Sequence, residues 1–291
     1  MSFDVAAQAY DEFMGRWSRL LAPQLADLAG VRTGLRVLDV GCGPGALTAE
    51  LAKRLGPESV TAVEPSPPFV AAARARNPGV DVRRSGAEHL PFPDGTFDAA
   101  LAQLVVHFMV DPVAGLAEMA RVTRSGGVAA ACVWDYAGGN GPLGPFWLAA
   151  RELDAGVEDE SRLAGTRAGH LAQLFETAGL RDVEQTSLSV SCDHADFDAW
   201  WEPFTRGAGP AGSYVSRLDA RQQVELRERC RSMLPPVTSP SPPGPGPPAA
   251  WFERRRPVGV TRASRRGRCC APSKPARRDR LGYPGTWRSH A

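Results

Sequence analysis

With 34 Lys/Arg against 32 Asp/Glu and 43% hydrophobic residues, the 291-residue chain has a globular composition, enough for one large domain or a domain and a tail. Its longest apolar stretch, residues 99–110, is broken by Gln103 and His107 and is too short to span a bilayer, and Asp4, Asp11 and Glu12 exclude a signal peptide at the start. Six cysteines without a CxxC pair or zinc spacing argue against a metal site and, with a mildly acidic main body, predict a cytoplasmic chain with reduced thiols and no clear nucleic-acid surface.

Tyr10, Phe13, Met14, Trp17, Leu21, Leu25 and Leu28 recur at three- and four-residue steps. They predict an amphipathic helix within residues 1–30, kinked or divided at Pro23. Strands follow at 36–40, 59–63, 81–84, 97–102 and 128–134, with helices at 47–55, 67–76 and 112–124 between them. Ser66 and Pro67 supply an N-cap and a first-turn proline. This alternation implies right-handed βαβ units and a doubly wound, mostly parallel α/β sheet. Beyond Trp134 come a Gly/Pro-rich loop, helices at 146–153 and 170–178, the second closed by Gly179, a strand at 183–191 and a polar helix at 218–234. Residues 136–170 and 193–234 are cap or insert regions of a domain spanning 1–234.

Residues 37–45 read VLDVGCGPG, a strand running into a glycine-rich turn that opens a helix. Gly41 permits the tight turn, Gly43 and Gly45 let the backbone approach a ligand, and the helix start suits a carboxylate or phosphate. With Ala46 the run also satisfies the dinucleotide pattern, so an NAD(P)-dependent oxidoreductase stays open on this motif alone. Asp39 discriminates. A pyrophosphate gains nothing from a carboxylate two residues before Gly41, whereas an ammonium or sulfonium group does. Glu64 ends the second strand, where an acid accepts ribose hydroxyls, a feature that NAD sites share.

The chain resembles the class I S-adenosylmethionine-dependent methyltransferases, in particular the small-molecule branch that includes quinone-biosynthesis enzymes. The resemblance rests on VLDVGCGPGALT, on VTAVEPS from Val60, on GAEHLPFPDGTFDAALAQ from Gly86 and on EMARVTRSGG from Glu118. It implies a Rossmann-like fold with S-adenosyl-L-methionine as cofactor. Gly41, Gly43 and Gly45 would pack against the methionine part, Asp39 would orient its ammonium, Glu64 would hold the ribose and Pro65 would flank the adenine. Gly86 stands where relatives often carry an acid for the adenine amino group, with Ala87 and Glu88 still offering backbone contacts. Gln103 falls beside the ligand.

Methyl transfer to a small-molecule acceptor needs alignment above all, and a base only where the acceptor must lose a proton. His107 is the candidate base, against the simpler reading of a packed histidine on an apolar run. The N-terminal helix is a candidate lid, with Tyr10 and Trp17 facing the sulfonium, worth about 0.5–2 kcal/mol if so, and Arg16 reaching the cofactor carboxylate. Phe146, Trp147, Trp200 and Trp201 roof a substrate pocket or pack as core. Cys42 is a small filler in the glycine loop. A cofactor-binding protein without catalysis is the second alternative, and nothing in the sequence sets an oligomeric state.

From Pro235 the text changes to twelve prolines and eleven arginines with almost no aliphatic periodicity. A disordered tail is expected over 235–291, and the composition also fits a GC-rich gene read out of frame. The final antiparallel strand of the family's sheet is therefore expected to be missing or replaced, with 258–261 a weak candidate.

Overall fold

The structure, a computed structural model, describes residues 7–234, 251–252 and 256–264. One sheet combines β1 (Val37–Val40), β2 (Val60–Glu64), β3 (Asp81–Arg84), β4 (Phe97–Gln103), β5 (Thr123–Trp134), β6 (Arg181–Val190) and β7 (Arg256–Ser264). Their order is β3-β2-β1-β4-β5-β7-β6, and β7 alone runs antiparallel, to both its neighbours. The fold is Rossmann-like α/β, as the alternation of patterns predicts.

Period-two alternation divides the central strands between two cores. Val37, Leu101, Cys132 and Trp134 belong to one, and Leu38, Val63, Ala100 and Val133 to the other. On the first face lie α2 (Arg16–Leu28) and α3 (Ala46–Leu55), joined by α6 (Gly144–Leu153) and α8 to α10 (Phe197–Trp201, Gly209–Val215, Ala220–Met233). On the second lie α5 (Pro112–Val122) and α7 (His170–Thr177), while α4 (Pro67–Arg76) covers β2 and β3 through Val70 and Ala73. The end of α7 is built by Gly179 at φ +84°, with Leu180 N–H bonding Phe175 C=O at 3.1 Å and Gly179 N–H bonding Glu176 C=O at 3.0 Å.

Two expectations are corrected. Pro23 neither divides nor ends α2, which runs through it; the irregular turn is π-helical, Asp11–Gly15, between the short α1 (Ala7–Tyr10) and α2. The last strand is present. β7 pairs with β5 from Val128↔Ser264 to Trp134↔Val258 and with β6 from Arg181↔Ser264 to Val190↔Arg256. Pro257 lies beyond the β5 pairing, opposite Ser189 only, so its missing N–H does not interrupt the central ladder. Thr261 and Ala263 are buried, and Arg262 stands opposite Glu184, a favourable cross-strand pair. A two-residue ribbon also pairs Asp193–His194 with Trp251–Phe252. The rest of the expected tail, with its basic cluster at 265–268 and Cys269–Cys270, lies outside the described residues.

Among the described residues no helix is long and apolar enough to cross a membrane, and no group of three or more His, Cys, Asp or Glu is placed to hold a metal ion.

Candidate active site

Strand order reverses between β1 and β4, the position where open α/β sheets bind ligands at their carboxyl ends. A cavity of about 480 Å³ opens there, lined by Tyr10, Asp39, Gly41, Gly43, Glu64, Pro65, Gly86, Ala87, Glu88, Gln103 and His107. Eleven of the residues proposed from sequence thus meet in one space; Gly45, Arg16 and Trp17 do not line it.

β1 is buried along its whole length, which places Asp39 in the interior, 1% exposed. Its Oδ2 accepts from the Thr48 hydroxyl at 2.6 Å, and its Oδ1 has no hydrogen-bond partner. Burial pushes this carboxyl up to about 7. Glu64 ends β2, where Oε2 accepts the Gly43 N–H and Oε1 the Ser66 N–H, both at 2.9 Å. Burial raises its pKa, and the two backbone donors oppose that rise. Gln103 ends β4 and donates Nε2 to the Ser18 carbonyl at 3.0 Å, which orients the amide and leaves Oε1 buried without a partner.

The glycine loop wraps between these groups. Gly41 adopts φ +69°, and its N–H and that of Cys42 both bond the Val63 carbonyl, at 2.9 and 3.0 Å. A Cβ at Gly41 would lie 2.3 Å from Val105 Cγ2, while one at Gly43 would meet open space. Gly45 (φ +93°) serves packing instead: a Cβ there would meet Asn77 Nδ2 at 2.4 Å, on the α4 side. Further round the wall, Glu88 Oε1 accepts the N–H groups of Val110 and Asp111 at 2.9 and 3.3 Å. Cys42 is buried, and burial first, then the Asp39 and Glu64 charges, holds its thiol well above the ordinary value, consistent with a filler.

The N-terminal segment closes one side. Tyr10 packs on Phe69 at 5.2 Å between ring centroids, Asp11 pairs with Arg76 of α4, and Glu12 pairs with Arg206. Arg16 turns away from the cavity because its guanidinium folds back onto the Glu12 carbonyl, at 2.8 and 3.0 Å, and meets His194 Nδ1 at 2.8 Å. Trp17 lies in the core, edge-on to Trp134 at 5.8 Å. Phe146, Trp200 and Trp201 likewise pack among themselves and Phe204, Phe146 stacking on Phe204 at 4.6 Å. They form the interior of the cap and do not line the cavity.

His107 is 5% exposed, its Nδ1 has no partner, and burial lowers its pKa to about 3. Burial therefore favours the neutral form of this ring. Sequence reasoning did not pick out Thr48, Phe69 or Val105, nor Tyr136 and Glu160, which bound an adjoining chamber. Thr48 had a usable signal, a hydroxyl in the first turn of the helix that follows the loop.

The chain matches the methyltransferase domain family over residues 38–131. It is 35% identical over 153 residues to a rice (Oryza sativa subsp. japonica) chloroplastic 2-methyl-6-phytyl-1,4-hydroquinone methyltransferase, covering 52% of this chain and 40% of that one. The chain therefore spans less than half the length of that enzyme. An uncharacterized Mycobacterium tuberculosis protein is 30% identical over 231 residues, covering 74% of this chain and 81% of its own. The crystal structure of the YcgJ protein from Bacillus superposes with a TM-score of 0.52 at 17% identity, over 84% of this chain and 98% of that one, which supports the fold. By its ordered motifs, its fold and these relatives, the chain belongs to the class I S-adenosylmethionine-dependent methyltransferases.

Proposed function

We propose that this chain transfers a methyl group from S-adenosylmethionine to a small-molecule acceptor. The carrying observation is the pair of buried, unpartnered oxygens, Asp39 Oδ1 and Gln103 Oε1, in the wall of a cavity that Glu64 also lines. Buried acceptors without donors are costly, so the site calls for a ligand rich in N–H and O–H groups. The ammonium and ribose hydroxyls of the cofactor meet that need. Asp39 would take the ammonium, the Gly41–Gly43 backbone would lie along the methionine part, and Glu64 would hold the ribose. Pro65, Ala87 and Glu88 would flank the adenine.

When bound, the cofactor supplies an electrophilic methyl group. The protein's contribution is alignment and exclusion of water, which accounts for about 7–11 kcal/mol in well-oriented reactions. The Tyr10–Gly15 segment, clasped through Asp11 to Arg76, covers one side of the cavity. His107 acts as a neutral hydrogen-bonding group in the wall. Buried thiols at Cys42, Cys132 and Cys230 suit a reducing compartment such as the cytoplasm.

Incubation with methyl-labelled S-adenosylmethionine and a panel of phenols, quinols and amines is expected to yield S-adenosylhomocysteine and a labelled product. Tight S-adenosylhomocysteine binding with no transfer to any acceptor would leave a cofactor-binding protein and refute the enzyme.

A further inference from the structure

Four carboxylates line the cofactor cavity, those of Asp11, Asp39, Glu64 and Glu88, and among the described residues no Lys or Arg lines it. Asp11 is balanced by Arg76, whose guanidinium also donates to the Pro44 carbonyl at 3.0 Å, and by Arg19 at 4.0 Å. Arg16, the cation that helical periodicity aims at the site, is held outside by the Glu12 carbonyl and His194. The other three acids have neutral donors and, among the described residues, no cation. Thr48 serves Asp39, the Gly43 and Ser66 N–H groups serve Glu64, and those of Val110 and Asp111 serve Glu88.

The titratable groups of the wall feel the same field. Burial raises the pKa values of Asp39, Cys42 and Tyr10, and in each case the Glu64 charge raises it further. A cleft walled by one sign of charge and partly shut off from water concentrates its field on whatever it holds.

S-adenosylmethionine and S-adenosylhomocysteine share the adenine, ribose, ammonium and carboxylate. They differ by one methyl group and by one positive charge on sulfur. In transfer the acceptor's lone pair forms the new bond to carbon, and the carbon–sulfur bond breaks with its electron pair staying on sulfur. A neutral sulfide remains in the cavity. Contacts to the shared groups serve both ligands alike, so the net charge of the wall acts on the difference. Resting on the methyltransferase reading above, we propose that Asp39, Glu64 and Glu88 make this cavity select the cationic sulfonium. S-adenosylmethionine then binds more tightly than S-adenosylhomocysteine, and the spent product does not block the site. Burial of the extra methyl alone is worth about fourfold, so a larger preference reports the charge.

The test is calorimetric titration of the full chain, without acceptor, using S-adenosylmethionine, S-adenosylhomocysteine and sinefungin, which carries an ammonium group in place of the sulfonium methyl. Both cationic ligands are expected to bind at least roughly tenfold more tightly than S-adenosylhomocysteine. Glu64→Gln removes a charge and retains an acceptor, and is expected to lower that ratio toward about fourfold. A Glu64 that only supported the loop would weaken both ligands alike and leave the ratio where it was. Should that variant misfold, Glu88→Gln, which keeps an acceptor for Val110 and Asp111, is expected to lower the ratio by roughly twofold or more. A wild-type preference of about fourfold or less, sinefungin no tighter than S-adenosylhomocysteine, or a ratio that the variants do not move would each overturn the proposal. Binding of neither S-adenosylmethionine nor S-adenosylhomocysteine would instead sink the methyltransferase reading, so the two failures are distinguishable.

Discussion

The Thr48 hydroxyl, in the first turn of α3, donates to Asp39 Oδ2 at 2.6 Å, while Oδ1 of the same buried carboxyl has no partner. One donor does not offset the loss of water, and burial, with the Glu64 charge adding to it, pushes Asp39 from 3.8 up to about 7. The folded protein holds a proton that the unfolded chain releases at lower pH. Asp39 therefore costs stability progressively as pH rises from about 4 to about 7, and no further above that.

A cationic group on Oδ1 favours the carboxylate, so binding expels the Asp39 proton below pH 7. Calorimetry of S-adenosylhomocysteine at pH 6.5, in buffers of different ionisation enthalpy, is expected to record proton release. Asp39→Asn is expected to lose that release and to bind roughly tenfold or more weakly. Proton release of equal size in the variant would place the ammonium elsewhere.

Gly41→Ala is expected to damage both stability and binding. The residue has φ +69°, and the added methyl would lie 2.3 Å from Val105 Cγ2. The backbone strain alone is worth about 1–3 kcal/mol. Val105→Ala in the same chain removes the Cγ contacts but leaves its Cβ 2.9 Å from the added methyl, so it should recover only part of the steric loss, which a double-mutant cycle by denaturant unfolding would measure. Full recovery would mean that the positive φ carries no cost.

Thr261 tests β7. Its side chain is fully buried, and its Oγ1 has no hydrogen-bond partner. Thr261→Val is expected to be neutral or stabilising by about 1 kcal/mol, and Thr261→Arg to lose more than about 3 kcal/mol through an unpaired buried charge. Thermal unfolding distinguishes these outcomes. Indifference of the melting temperature to arginine would remove residue 261 from the sheet.

The doubly wound core was legible because β1, β2, β4 and β5 are buried on both faces and read as apolar runs, with glycines and prolines marking their ends. β7 was legible only as a weak candidate at 258–261, because it is short of aliphatics and lies in a proline- and arginine-rich stretch. Its burial comes from the strands on either side rather than from its own pattern. The gathering of Asp39, the loop and Glu64 around one cavity was legible through motif spacing. Arg16 was misplaced because helical periodicity predicts a face but not a guanidinium folding back on a π-helical turn. Tyr136 and Glu160 sit in loops and a single 3₁₀ turn, where no periodicity signals their approach to His107.

The central claim is that this cavity is built for S-adenosylmethionine, and calorimetric titration with S-adenosylhomocysteine, beside NADH and a Glu64→Ala variant, tests it most directly. Glu64 holds the Gly43 and Ser66 N–H groups at 2.9 Å, so its loss removes the support of the loop together with the carboxylate proposed to hold the ribose. The expected result is saturable S-adenosylhomocysteine binding, weakened at least roughly tenfold in the variant, with none for NADH. No binding by a chain that circular dichroism finds folded, or preference for NADH, would contradict the account.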